Sequence, residues 1–179
     1  MNIHEDLKIS FESGRYIAVV SDDGDDNTDY RGIVVGLSAA FVALLSVQDW
    51  HSDGLQIFPL KRIKRLEHSA VRDEQGEILS WKGVRNFGQY DWLGLSSFAE
   101  IFETIRTRKN VVFISSNDAA EVGEISRIED ACVVLRGIDG AGDWIDGDVK
   151  FAFEHILMVS VDDEYSRVLY EYAMSEKRV

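Results

Sequence analysis

The amino-acid sequence predicts a mainly β chain with a few helices, built as two small five-stranded barrels in tandem. Three observations carry that reading. Residues 122–138 (Val-Gly-Glu-Ile-Ser-Arg-Ile-Glu-Asp-Ala-Cys-Val-Val-Leu-Arg-Gly-Ile) share their plan with residues 32–47 (Gly-Ile-Val-Val-Gly-Leu-Ser-Ala-Ala-Phe-Val-Ala-Leu-Leu-Ser-Val). The two align without a gap 91 positions apart: Gly32 falls on Gly123, Val34 on Ile125, Leu37 on Ile128, and Phe41, Val42 and Leu44 on Cys132, Val133 and Leu135. Around the first copy, five short β-prone runs fall within about fifty residues, with a glycine where a strongly bent strand needs room. Finally, the offset between the copies changes only at Asp- and Gly-rich loops, where a repeated unit tolerates insertions.

Residues 3–13 place Ile3, Leu7 and Phe11 four apart, as on a helix, while Leu7, Ile9 and Phe11 alternate, as in a strand; the helix, ended by Gly14, is the preferred reading. The apolar run 16–20 is a strand, stopped by the acidic stretch from Asp22 to Asn27. Strands follow at 30–37 and 41–47, with shorter ones at 55–58 and 63–66. Residues 73–94 mix Trp81, Phe87, Tyr90 and Trp92 with glycines and charges, and read as an irregular connector between a first barrel (1–72) and a second (95–179). Residues 97–107 are a helix, with Phe98, Ile101, Phe102 and Ile105 on one face and Ser97 with Glu100 as a capping box. The barrel pattern then restarts. Residues 111–114 answer 17–20 at an offset of 94, so the first acidic loop is three residues longer than its counterpart. Phe151 and Ile156 answer Phe58 and Ile63 at 93, which puts two extra residues in the 140–147 loop. Tyr165, Val168, Leu169 and Tyr172 form the stripe of a C-terminal helix begun by Asp162 or Asp163.

Composition narrows the function classes. With 45% apolar residues the chain can bury a core, and it holds no apolar run of membrane-spanning length and no secretion signal at its N-terminus. The single cysteine, Cys132, sits in an apolar strand and has no internal partner, which fits a cytoplasmic protein. The 32 acidic and 19 basic residues give a net charge of −13. Acid exceeds base in both parts, 15 to 10 in residues 1–93 and 17 to 9 in 94–179. Such a surface repels phosphate backbones and suits a basic partner.

Gly123-Glu-Ile-Ser-Arg-Ile-Glu-Asp followed by Cys132-Val-Val-Leu resembles the first signature of Sm-like proteins, the Hfq type among them. Phe153-Glu-His-Ile followed by Val159 resembles the second signature, and the helix at 97–107 occupies the place of the family's leading helix. The resemblance spans roughly fifty residues of the second unit and, more weakly, a like stretch of the first, and most of it is barrel core. It implies two tandem Sm-like, SH3-like barrels in a bacterial-type protein. The family's RNA-contact residues find no counterpart: the corresponding places hold Gly137-Ile-Asp and Glu154-His in the second unit, and Ser46-Val-Gln and Leu60-Lys in the first. His155 stands where the resemblance puts a histidine near a uridine pocket.

Candidate sites are few. Lys61, Arg62, Lys64 and Arg65, near His68 and Arg72, can hold a phosphate backbone or form the wet side of an edge strand, with Leu60, Ile63 and Leu66 pointing inward. Trp81, Phe87, Tyr90 and Trp92, with Lys82 and Arg85, can stack bases or lie buried between the barrels, the reading preferred here. A partly exposed aromatic groove would instead suit a protein partner. Asp22, Asp23, Asp25, Asp26 and Asp29, and likewise Asp139, Asp143, Asp146 and Asp148, lack EF-hand spacing and read as solvated turns rather than calcium ligands. His4, His51, His68 and His155 show no metal-ligand spacing, and no phosphate-cradling loop or nucleophile elbow occurs, so no metal, cofactor or catalytic residue is expected. The leading expectation is a non-enzymatic protein that binds a protein partner through its acidic surface. An RNA-binding module using Lys61 to Arg65 and the connector aromatics comes second, and a ring-forming homo-oligomer third.

Overall fold

The computed structural model describes residues 2–22, 29–84, 87–108 and 111–175. Its elements are α1 (Ile3–Ser13), β1 (Tyr16–Ser21), β2 (Asp29–Leu37), β3 (Phe41–Gln48), β4 (His51–Pro59), β5 (Ile63–Glu67), α2 (Ala70–Trp81), α3 (Phe98–Arg108), β6 (Val111–Ser116), β7 (Ala120–Glu129), β8 (Cys132–Ile138), β9 (Trp144–Ala152), β10 (Ile156–Val161) and α4 (Glu164–Ser175). Short 3₁₀ turns, Leu60–Arg62 and Phe153–His155, lead into β5 and β10. The protein is mainly β. Its strands form one open, antiparallel ten-stranded sheet in the order β5-β1-β2-β3-β4-β10-β6-β7-β8-β9. Among the described residues no pairing closes either half on itself.

The two halves repeat each other strand for strand. Gly32 faces Ser46 as Gly123 faces Gly137, and Val34 faces Leu44 as Ile125 faces Leu135. Val42 faces Phe58 as Val133 faces Phe151. Val19 faces Leu66 as Ile114 faces Val159. The register breaks recur at matching places too, after Val34 and Ile125 and after Leu45 and Arg136. A side chain at Gly32 or Gly123 would overlap the neighbouring strand's backbone at Leu45 or Arg136, so glycine is required at both.

The pairing also corrects the first strand's alignment. Ile17 faces Gly32 and Val112 faces Gly123, so β1 matches β6 at an offset of 95, not 94, and the first acidic loop is four residues longer. A one-residue slip turns each side chain to the opposite face of the sheet. Burial agrees with the corrected register: Val112 and Ile114 are fully buried, whereas Val111 and Phe113 are partly exposed.

Each half carries its own apolar layer. Ile17, Val19, Val34, Val42, Leu44, Phe58, Ile63 and Leu66 pack under α1 through Leu7. Their counterparts Val112, Ile114, Ile125, Val133, Leu135, Phe151, Ile156 and Val159 pack under α3 through Phe102. The second layer also takes in Phe41, Ala43, Leu45, Leu55 and Ile57 from the opposite face of the first half's β3 and β4. The halves therefore share a core as well as the β4–β10 ladder, in which Ile57, Gln56 and Leu55 pair with Val159, Ser160 and Val161. One edge of each half is satisfied internally, and β5 and β9 end the sheet.

Helix ends follow local chemistry. Asn2 caps α1, and Gly14, at φ 62°, ends it in the left-handed conformation. The Ser97 hydroxyl accepts from the Glu100 amide, but the Glu100 carboxylate turns to the amide and hydroxyl of Ser96 rather than closing a box on Ser97. Buried Asp163 caps α4, accepting from the Ser166 amide and hydroxyl and from Ser160. A larger correction concerns the connector, since residues 70–81 form a regular helix that crosses the expected boundary at 72. Gly76 lowers helix propensity there but lets α2 sit close against Tyr16.

Candidate interaction surfaces

Lys64 and Arg65 lie on β5, an end strand of the sheet, while Lys61 and Arg62 lie in the 3₁₀ turn before it. Ile63 and Leu66 point inward as expected. The cluster is largely consumed by internal partners. The Arg62 guanidinium, 18% exposed, donates to the Glu154 carbonyl at 2.7 Å and lies 3.9 Å from Asp22. Lys64 lies 3.3 Å from Asp22, and Arg65 lies 3.1 Å from Glu67. Arg72 joins Glu67 at 3.0 Å to Asp29 at 3.2 Å. Burial works against ionised Asp29, yet hydrogen bonds from Arg31 and Arg72 outweigh it and hold the carboxyl below its ordinary range. His155 is likewise bound to acid, with Nδ1 2.9 Å from Asp118. Among the described residues no row of free cations faces solvent in this stretch.

The aromatic group divides. Tyr90 is buried, its hydroxyl pushed up to about 12 by that burial, and Trp92 packs on the shared core while donating to the Gln89 carbonyl. The expected burial between the halves holds for Tyr90 and in part for Trp92, which is half-buried. It fails for Trp81, which is 86% exposed at the end of α2. The reason is α2 itself: only Gly76 and Leu79 point into the protein, so Trp81 falls on the outer face. Arg85 and the Phe87 side chain lie outside the described residues, as do Asp23, Asp25 and Asp26.

The exposed face of α2 is the feature that reading the chain as a connector missed. Val71, Glu74, Ile78 and Trp81 recur at helical spacing along it, with Asp73 and Glu77 beside them, all exposed. The apolar spacing at 71, 78 and 81 after the Ser69 cap was the available signal. Helix α4 presents a matching stripe, Tyr165, Val168 and Tyr172, flanked by Glu164 and Glu171. Both helices follow the last strand of their half and pack their inner faces on its first strand.

Other concavities lie beside the β3–β4 turn and at the junction of the halves. A ~310 Å³ pocket is lined by Tyr16, Arg31, Gln48, Trp50 and Gln75 beside the β3–β4 turn, where Asp49 and Trp50 both have positive φ. An apolar groove lies where the halves meet, between Phe41, Pro59, Leu60, Phe98 and Phe153. Asp139 is engaged in its own turn, accepting from the amides of Ala141 and Asp143. Among the described residues no three His, Cys, Asp or Glu side chains are grouped to hold a metal ion. The Cys132 thiol donates to Glu129 at 3.2 Å, and that bond to the carboxylate raises its pKa, disfavouring the thiolate.

Burial, helped by nearby Asp139, raises the pKa of Glu121. A folded-state pKa above the unfolded one means that protonation favours folding. That contribution is complete below the unfolded value of about 4.3 and is lost as pH rises through the folded value. Glu121→Gln is therefore expected to raise the melting temperature at pH 7, with a smaller gain at pH 4; thermal melts at the two pH values check both the sign and the trend.

Among the described residues no helix is long and apolar enough to cross a membrane. No protein-family model matches the chain, and no curated protein matches it. A solved structure, the Borreliella burgdorferi PlzA protein in complex with c-di-GMP, aligns over 96% of this chain and 99% of its own at 11% identity. Its TM-score of 0.16 is too low for that alignment to bear on fold or function.

Proposed function

We propose that this is a non-enzymatic cytoplasmic interaction protein, built from two Sm-like, SH3-like units, that docks a basic protein partner on its acidic helices. The observation that carries this reading is the exposed stripe Val71, Ile78 and Trp81 on α2, bordered by Asp73, Glu74 and Glu77 and echoed on α4. An exposed aromatic beside aliphatic side chains is the composition of a binding hot spot, and the surrounding carboxylates select a cationic segment and speed its approach. The Sm-like assignment draws its support from the repeated register, the paired register breaks and the leading helices α1 and α3. RNA is the less favoured ligand because Arg62, Lys64 and Arg65 already face carboxylates or carbonyls of their own chain.

The test is a pull-down from cell extract in two halves, one treated with RNase, using the wild type and Trp81→Asp. A specific protein retained in both halves by the wild type and lost from Trp81→Asp is expected. Recovery of RNA, with bound proteins vanishing after RNase, would overturn the reading. It would also predict that changing Lys61, Arg62, Lys64 and Arg65 to glutamate weakens binding in a salt-dependent way.

A further inference from the structure

The two halves treat the same place in opposite ways. In the second half the space beneath α4 is filled from within, by Val122, Ile138, Leu169, Ala173 and the indole of Trp144. That ring stands edge-on to Tyr170, with the Arg136 guanidinium 3.8 Å from its centre. In the first half α2 takes the place of α4, and Arg31 stands where Val122 does. Val47 there faces Ser52, whereas its counterpart Ile138 faces Trp144. A ~310 Å³ pocket opens at this point, between α2 and the β3–β4 turn.

The pocket wall combines an indole, an apolar side chain and hydrogen-bond donors. Trp50 is the second residue of a two-residue hairpin loop, with Asp49 at φ 46° and Trp50 itself at φ 68°. Such loops favour Asn-Gly, and an indole held in the left-handed region is strained. The turn is nonetheless fixed. Lys82, at the end of α2, donates to His51 Nε2 at 3.1 Å, so Nδ1 carries the proton and donates to the Asp49 carbonyl at 2.9 Å. Arg31 gives its Nε–H to Asp29 at 2.9 Å, which orients the guanidinium and, among the described residues, leaves its terminal nitrogens open. Tyr16 is 6% exposed, and its hydroxyl makes no hydrogen bond with any described residue. Burial outweighs the nearby Arg31 and raises the pKa of that hydroxyl, which keeps it a donor. From α2, Gln75 adds an amide and Leu79 an apolar surface.

We infer that this pocket binds a small aromatic carboxylate, its ring packed on Trp50 and Leu79 and its carboxylate held by Arg31 and the Tyr16 hydroxyl, with Gln75 alongside. The second half supplies the precedent for an aromatic ring under the helix with a guanidinium against it. Donors from Arg31 and Tyr16 call for an acceptor-only group, and an ionised carboxylate is one. Asp49 on the rim and Asp29 behind Arg31 admit a single negative charge and disfavour a phosphorylated guest. The volume lies at the small end of the range for ligand pockets. This site is separate from the docking surface, since Trp81 lies on the outer face of α2 and the pocket lies beside its inner one.

Titration of the full chain with naphthoate, and with naphthamide as its uncharged counterpart, tests the inference through nitrogen–proton correlation spectra. Saturable shifts are expected at the Trp50 indole N–H and the Gln75 side-chain amide, with naphthamide bound about tenfold more weakly. Arg31→Gln is expected to lose about the same tenfold for naphthoate and to leave naphthamide binding unchanged. Trp50→Gly suits the left-handed position, so it should fold at least as stably as the wild type yet bind both probes about tenfold more weakly. Equal affinity for the two probes, wild-type affinity in Trp50→Gly, or shifts gathered around Trp81 instead of the pocket would overturn the proposal, as would the absence of saturable binding.

Discussion

Phe102→Ala is expected to cost about 3–5 kcal/mol and to lower the stability of both halves together. Phe102 is fully buried on α3, stacks near Phe98 and Phe153, and lies in the layer that holds Val133 and Leu135 from one half with Leu45 and Ile57 from the other. Alanine there would leave a cavity bounded by a helix, both halves of the sheet and the connector, a set of neighbours that cannot collapse by moving one segment. Urea unfolding followed by far-UV dichroism and by tryptophan fluorescence checks this. Coincident transitions shifted to lower urea are expected. Loss of the second half's signal at a urea concentration that leaves the first half intact would sink the shared-core account.

Gly54→Val is the second large effect, with an expected cost of about 3 kcal/mol from positive-φ strain plus overlap with the incoming backbone. The overlap involves Val161 O and the backbone of Asp162 and Asp163, which a rotamer change cannot relieve. A useful comparison is Gly83, also at positive φ, where a side chain would meet nothing within 4 Å. Gly83→Ala should cost about 1 kcal/mol, since only the conformational strain remains. Equal losses from the two substitutions in thermal unfolding would mean that the junction is not tightly closed around Gly54.

The periodicities that predicted the strands and helix α3 were clear because each element buries a single face or lies wholly inside, whereas α1 and α4 were found by apolar spacings of which Phe11, Tyr165, Val168 and Tyr172 lie exposed. The β1 register was a different matter. All of Tyr16 to Ser21 is buried, so no alternation marks which side chains face the core, and only pairing with β2 decides. Helix α2 was hidden by Gly76 and by apolar residues that face outward, the reverse of the pattern that usually reveals a helix. Joining of the halves through β4 and β10 had no local signature either, because a strand edge is backbone and the sequence does not label it. For the candidate sites, position was readable but state was not. The basic cluster sits on an end strand as expected, yet its engagement by Asp22 and Glu154 depends on residues that are distant in the chain or across the junction. Trp81 was expected to be buried between the halves and is exposed on α2 instead.

The β4–β10 ladder also sets an order of events during synthesis. Most neighbouring strands in the sheet are successive in sequence and can zip up as hairpins, but this ladder joins segments about a hundred residues apart and must close a correspondingly long loop. Until β10 leaves the ribosome, β4 presents the bare backbone and apolar side chains of Leu55 and Ile57. The nascent half that holds β1 to β5 is thus a sticky intermediate whose protection comes from β10, made about a hundred residues later, and slow translation or truncation before residue 156 should send it to chaperones or aggregates.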